Sequence, residues 1–468
     1  MKKERNKKMY GNMSPIRFWV VVWGMGLAGQ LCWNMENQWF NTFVYAKIAK
    51  DVDIVTWMVI LSAFVTTIST FVFGTLSDRM GNRKKFVSIG YIIWGIATII
   101  FGLTEFVTKI GANMIALAGF LVVFTDAIMS FFGSMGNDSG YNVWLNDHTD
   151  DSNKGQVGAA LAALPVIGTI VGTVLGGQLV GENDNYQLLF WSMGIFVIIF
   201  GIISLFIMKD HPTVKKEVRG SFWKQVFEVF DFKRLKGSKN IKELILANLV
   251  ACFFFIPFNF YFTHMGNWIL YDIGFTAGDM GLIQGIPLAL AVFVTIPFIK
   301  LINKNKIPLV AFIAVLCNAV GLLLIYLFVK DSSNVDTSSV FALKNIPILG
   351  CVFLVGVGYV LITQTCMIWV KGLFPEESKG QFEGVRVLFF TLIPMLIGTL
   401  IGNLIIKHTA QGDPKYDEYG LLIEVPQENL FLWASIIVLL TFIPLIIAAK
   451  TYYKRVKAET LALEEAPE

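Results

Sequence analysis

Charge is scarce in this sequence. Of 468 residues, only 15% are Asp, Glu, Lys or Arg, where a soluble protein carries about 25%. With 55% of residues hydrophobic, a large soluble domain is excluded. Catalytic signatures are missing as well. There is no G-x-x-x-x-G-K-[ST] phosphate loop, no H-E-x-x-H and no G-x-S-x-G elbow, so no enzyme is expected. The five cysteines (Cys32, Cys252, Cys317, Cys351 and Cys366) have neither metal-ligand nor disulfide-framework spacing. They read as small apolar residues, and neither a metal nor a cofactor is expected. The net charge of +4 is not a nucleic-acid signal, because the cations cluster in particular loops. The start, MKKERNKK, resembles the charged region of a signal peptide, but the apolar run after it is too long and lacks a cleavage site. It is expected to stay as a first membrane span.

What is present is a series of apolar runs of membrane length, each near the roughly 20 residues that a span requires. Twelve helices are expected, over 17–45, 54–77, 86–106, 112–145, 156–180, 186–208, 243–271, 278–302, 307–329, 346–372, 380–406 and 428–453. The fold class is therefore an all-α membrane protein. Loops on the N-terminal side of the membrane hold 30 of the 38 Lys and Arg residues, and the opposite loops hold 7. The positive-inside rule then puts both termini in the cytoplasm of a multi-pass cell-membrane protein. The expected organisation is a six-helix bundle over 1–208, a basic cytoplasmic linker over 209–242, a second bundle over 243–456 and a tail over 457–468. An amphipathic stretch near Phe222 to Phe232 is expected to lie on the membrane face.

Two patterns give the bundles a kinship. Trp144 with Lys154-Gly155-Gln156 recurs at identical spacing as Trp369 with Lys379-Gly380-Gln381, so the halves read as parallel repeats. Between the second and third spans runs Gly-Thr-Leu-Ser-Asp-Arg-Met-Gly-Asn-Arg-Lys-Lys, from Gly74 to Lys85. Gly74 is suited to a close approach by another helix. Asp78 is suited to accept from a facing helix N-terminus. Gly81 suits a turn, and Arg79, Arg83 and Lys84 hold the loop at the cytoplasmic surface. This stretch resembles the signature loop of the major facilitator superfamily, G-x-x-x-D-R-x-G-x-R-K. That resemblance implies a transporter of two pseudo-symmetric six-helix bundles working by alternating access.

The residues suited to bind a solute lie inside spans. Gln30, Asn34, Asn37 and Asn41 fall within about 60° of one another on an ideal helix, and such a stripe must face a cavity or another helix. Asn259, Thr263 and Asn267 repeat the pattern on helix seven. Asp138 shares a face with Tyr141 and Asn142 on helix four, and Gln364 and Trp369 come from helix ten. Trp144, the duplicate of Trp369, favours a shared structural corner over stacking on a sugar. Carboxylates inside spans are functional hypotheses by default, which makes Glu36, Asp126 and Asp138 candidates for proton coupling. His264 and Arg386 join them, and Arg386 is expected to pair with Glu383.

The end of helix four, from Asp138 through Asp150 to Lys154-Gly155, is similar to that of the sugar–cation symporters typified by melibiose permease and of the plant sucrose–proton symporters. The likeness implies a role for Asp138 in sugar binding. The carboxylates of the permease's second helix have no counterpart in Trp57–Ser77, nor has its helix-five arginine in Gln156–Val180. Protons are thus expected as the coupling ion rather than sodium. The expected partners are a sugar or glycoside, a proton and the lipid bilayer, for a chain that works as a monomer without nucleic acid. Export of amphipathic drugs, lipid or lysolipid transport, and a non-transporting sensor remain the alternatives.

Overall fold

The computed structural model describes residues 10, 13–149, 153–212, 214–218, 220–227, 240–329, 332–374, 384–412, 414–417 and 420–464. The described residues are helical or lie in turns and loops, and they form no strand beyond one isolated bridge between Tyr416 and Leu422. Twelve helices are long and apolar enough to cross a membrane. They are α1 (Pro15–Ile48), α2 (Val52–Met80), α3 (Arg83–Thr108), α4 (Ile115–Asp147), α5 (Gln156–Val180) and α6 (Tyr186–Ile207). The rest are α7 (Ile241–Ile273), α8 (Ala277–Asn303), α9 (Ile307–Phe328), α10 (Leu343–Gly372), α11 (Gly384–Gly412) and α12 (Asn429–Leu461). The all-α class and the count follow the apolar runs, because a backbone in hydrocarbon must satisfy its own hydrogen bonds.

Local chemistry sets the helix ends. The Ser14 side chain caps α1 by accepting from the Arg17 amide, and Asp51 caps α2 by accepting from Asp53. α2 stops at Gly81, whose φ of +62° is left-handed and suits glycine. Asn82 then caps α3 by accepting from Lys85.

Packing divides the chain into two compact units. The first comprises 1–227, 266–285 and 410–425, and the second 228–265, 286–409 and 426–468. Within the first unit, hydroxyls line the α2–α4 seam. Ser62 meets Ser130 at 2.6 Å, Thr70 meets Ser134 at 2.8 Å, and Ser69 donates to the Phe131 carbonyl at 2.6 Å. α5 brings Gly168, Gly172 and Gly176 against Gln30, Asn34 and Trp39 of α1, where a Cβ would collide. Between helices in lipid, close approach and hydrogen bonds replace the hydrophobic drive. In the second unit, the core forms from Phe254 of α7, Val310 and Ala314 of α9, Leu361 of α10, and Ala448 and Tyr452 of α12.

Candidate functional site

The signature loop is built from its own charges. The Arg83 guanidinium holds Asp78 at 2.5 Å, Asp147 at 3.0 Å and the Ser77 hydroxyl at 2.7 Å. Asp78 thus pairs with Arg83, and Asp210 is the carboxylate that caps α3, accepting from the Lys84 amide at 2.9 Å. Burial pushes the Asp210 carboxyl up from its ordinary value, and the Lys84 and Arg83 amides oppose it. Gly74 differs from expectation: among the described residues nothing lies within 4 Å of where its Cβ would be. Arg79 reaches the Gly220 carbonyl at 3.1 Å and the Gln225 side chain at 3.3 Å. The loop therefore grips the segment that follows α6. That segment carries a short helix, Phe222–Val226, which leaves Trp223 exposed and buries Val226. The remainder of the expected amphipathic stretch, 228–232, lies outside the described residues, as do Asp150 and the second Lys-Gly-Gln copy.

Four of the twelve spans are interrupted by wider π-helical turns. These are Met35–Trp39 and Val44–Ile48 in α1, Asn137–Tyr141 in α4, Trp268–Ile273 in α7 and Leu388–Leu392 in α11. Such turns shift the angular register and often mark functional sites. They also split the α1 stripe. Gln30 and Asn34 back onto the α5 glycines, and Asn34 donates to Thr173 at 3.2 Å. Asn37 is exposed and donates to the Trp33 carbonyl at 2.7 Å. Asn41 is buried, donating to the Asn37 carbonyl at 2.9 Å, while its own carbonyl accepts from Asn267 at 3.2 Å. The ideal-helix register fails because two of the four residues come after the first π turn begins.

The α4 face separates in the same way. Asp138 and Asn142 are half-buried. Tyr141 is buried, with its hydroxyl on the Val22 carbonyl at 2.6 Å, which is a structural tie to α1. Asn137, between α1 and α3, accepts from Tyr91 at 3.1 Å and donates to Asp138 at 3.2 Å.

The buried acid of α1 has chemical company. Glu36 Oε1 accepts from Ser62 and Ser130, each at 2.6 Å, and Oε2 is buried without a partner among the described residues. Asp126 sits one helical turn before Ser130. It is fully buried, Oδ1 has no partner among the described residues, and it lies within electrostatic reach of Glu36. A second buried network joins α1, α5 and α8. Thr173 donates to Gln38 at 2.8 Å, and Gln38 donates to Gln284 at 2.7 Å. Ser62, Ser130, Gln38, Thr173 and Gln284 are absent from the residues singled out by sequence. Gln38 stands four residues after Asn34, so its signal was present. The serines look like any small helix-packing residue until Glu36 is seen between them.

In the second unit, Asn259 donates to the Phe255 carbonyl at 2.7 Å, and Thr263 donates to the Asn259 carbonyl. Gln364 is half-buried. His264 is fully buried and neither ring nitrogen has a hydrogen-bond partner among the described residues; its ring lies beside Gly402 of α11. Arg386 lies 5.5 Å from the Phe390 ring, and Glu383, its expected partner, falls outside the described residues. Trp369 is buried and donates to Glu243 Oε1 at 2.8 Å. Its duplicate, Trp144, is equally buried and donates to the Lys209 carbonyl at 2.8 Å. Both tryptophans are corner pieces in this structure, and neither offers an open ring face.

A helical bundle with polar and acidic groups at membrane depth is the architecture of a solute transporter. The sequence matches the Major Facilitator Superfamily over residues 22–399, and the chain belongs to that family. Its fold is similar to that of the nucleoside transporter NupG in a mutant form, with a TM-score of 0.62 at 13% identity, covering 92% of this chain and 99% of that one. It is also similar to a bacterial homologue of the human lysosomal transporter Spinster. The inward-facing unoccupied form of that protein gives a TM-score of 0.61 at 14% identity, covering 94% and 97% of the two chains. Its occupied form gives 0.62 at 14%, covering 95% and 98%. At these identities the likeness concerns the fold alone. No curated protein matches the sequence.

Proposed function

We propose that the protein is a proton-coupled symporter of a sugar or glycoside in the cell membrane, with both termini cytoplasmic. The observation that carries this reading is the set of partly exposed polar residues at membrane depth in the first unit: Asn37, with half-buried Gln30, Asp138 and Asn142. Lipid does not tolerate such groups, so they line a watery space. Amides and a carboxylate together offer the donors and acceptors that hydroxyl groups match. Asn259, Thr263 and Gln364 are the corresponding groups of the other unit. Glu36, Asp126 and Asp138 are the acids available for the coupling proton, with His264 and Arg386 in the second unit. The helix-four likeness to the melibiose permease group supports Asp138 as a sugar contact, and the α2 seam supports protons over sodium because it holds hydroxyls where that group holds carboxylates.

The test is a panel of mono- and disaccharides scored by thermal stabilisation of the purified protein, with a nucleoside, an amphipathic drug and a lysolipid in parallel. A stabilising sugar should then enter proteoliposomes down an imposed pH gradient without sodium, and Asp138→Asn should abolish its accumulation. Stabilisation by the drug or lysolipid alone, or a strict sodium requirement, overturns the reading.

A further inference from the structure

The segment between α11 and α12 does not cluster with the helices it joins. α11 up to Thr409 and the chain from Pro426 onward belong to the second unit, whereas 410–425 belongs to the first. Glu424 makes the tie through three hydrogen bonds. The Tyr45 hydroxyl donates to the Glu424 carbonyl at 2.6 Å, and the Glu424 amide donates to the Lys50 carbonyl at 2.9 Å. The Val52 amide donates to Glu424 Oε2 at 2.9 Å. Backbone and side chain are thus both engaged, and Glu424 is 8% exposed.

The tie falls on the break between α1 and α2. α1 ends in the π turn Val44–Ile48, Ala49 is extended, and α2 starts at Val52. The first amides of a helix have no partner within it. Asp51 takes the Asp53 amide, and Glu424 supplies the acceptor for Val52. A carboxylate is favoured there by the helix dipole. The segment is also shaped before it reaches the turn. The Ile423 amide donates to the Lys415 carbonyl at 2.7 Å and the Asp417 amide to the Leu421 carbonyl at 2.9 Å. The Leu421 amide donates to Asp417 Oδ1 at 2.8 Å, and Gly420 takes a φ of +77°. Glu424 is therefore presented by a clip rather than by slack chain. The turn it grips lies between two spans, at the aqueous boundary, where water replaces broken hydrogen bonds at small net cost.

We propose that 410–425 is a detachable strap, latched onto the α1–α2 turn by Glu424, and that solute access from the face opposite the termini requires its release. Both ends of the strap run into helices of the second unit, so movement of α11 and α12 away from this turn must break the Glu424 bonds. The inference rests on the transporter reading, which supplies that movement.

The test uses the full chain in lipid, with its five cysteines replaced by alanine. Spin labels at Ile110→Cys and Tyr416→Cys, both exposed sites of the first unit, report the strap by electron–electron distance measurement. A latched strap gives one short distance, and release adds a longer one. Glu424→Ala should raise the longer population about tenfold, the loss of one charge-assisted hydrogen bond. Glu424→Gln, which keeps an acceptor oxygen, should raise it less. Tyr45→Phe should act in the same direction without altering the strap. In right-side-out vesicles, a membrane-impermeant maleimide applied outside should label Asn37→Cys about tenfold faster when Glu424→Ala is added. A lower melting temperature with a single unchanged distance makes the strap a fixed joint and overturns the proposal. So do distances that neither Glu424→Ala nor Tyr45→Phe alters, or a longer population without faster labelling. Where Glu424→Ala does not fold, Tyr45→Phe carries both measurements. Neither needs a sugar or a proton gradient, so the strap stands if no sugar is carried, and sugar uptake can succeed where the strap never opens.

Discussion

Two buried glutamates show what a partner changes. Glu243, at the start of α7, is 2% exposed and receives Arg455 through both oxygens, at 2.8 Å and 3.1 Å, together with the Trp369 N–H. Arg455 also reaches Glu459 and lies over the Tyr452 ring. Glu36 in α1 is nearly as buried yet meets only hydroxyls. A carboxylate paired in this way is an anchor, because its charge is neutralised in place. A carboxyl without a cation in a dry span serves the fold poorly as an ion, which marks it as a candidate functional group. The same residue type therefore builds a joint in one unit and, in the reading proposed above, a candidate proton carrier in the other.

The largest expected effect breaks the anchor. Arg455→Ala leaves Glu243 buried without its cation and should cost about 3 kcal/mol of stability, read as a lower apparent melting temperature in detergent. Glu36→Gln should cost less than about 1 kcal/mol, since a neutral amide replaces a neutral acid among hydroxyls, while proton-driven uptake is lost. Equal stability losses in the two variants would dissolve the contrast.

A buried base sharpens it. His148, just beyond α4, donates from Nδ1 to the Trp144 carbonyl at 2.8 Å and packs 4.2 Å from the Trp144 ring and 5.0 Å from His211. Burial holds its imidazole down at about 4 from 6.5; the Trp144 carbonyl bond opposes this, and His211 adds to it. The folded state therefore binds this proton less readily than the unfolded state. The stability it contributes is complete above pH 6.5 and is lost as the pH falls from 6.5 through about 4, at about 1.4 kcal/mol per pH unit where the slope is full. His148→Gln should flatten that part of the melting-temperature profile, and an unchanged profile would remove His148 from the acid response. A smaller effect belongs to the corner tryptophans. Trp144→Phe and Trp369→Phe each delete one N–H donor and should cost about 1 kcal/mol, measured by the same melts, with the loss at Trp369 reduced because Arg455 still holds Glu243.

The fold was legible because lipid leaves few choices: length, apolarity and the signature loop led to twelve helices and the family. The site was legible in residue types and less so in direction. Glu36 and Asp126 stand out in any sequence as acids inside spans, but the separate faces of Gln30, Asn34, Asn37 and Asn41 follow from a π turn that no local composition announces. Asp78 pairs with Arg83, and the carboxylate that accepts from the start of α3 is Asp210, a residue distant in sequence that tertiary packing brings to the helix end. Ser62 and Ser130 were silent because a serine in a span is as often packing as chemistry.

Asn37 offers the gentlest and most discriminating substitution. Its amide nitrogen is held by the Trp33 carbonyl one turn back, and its side chain is exposed in a helix whose neighbours are almost all buried. Asn37→Ala removes a local side-chain bond of a kind that adds little to helix stability, so the melting temperature should stay within the range of a surface change, about 0.5 kcal/mol. If Asn37 faces the solute, the same substitution should weaken sugar binding by about tenfold, the worth of one hydrogen bond to a polar ligand, whereas Trp144→Phe should leave affinity unchanged and lower stability. Calorimetry on the two variants with the stabilising sugar separates the outcomes. A variant that melts like the wild type and binds weakly places Asn37 at the solute. The reverse order assigns the α1 amides to holding helices together.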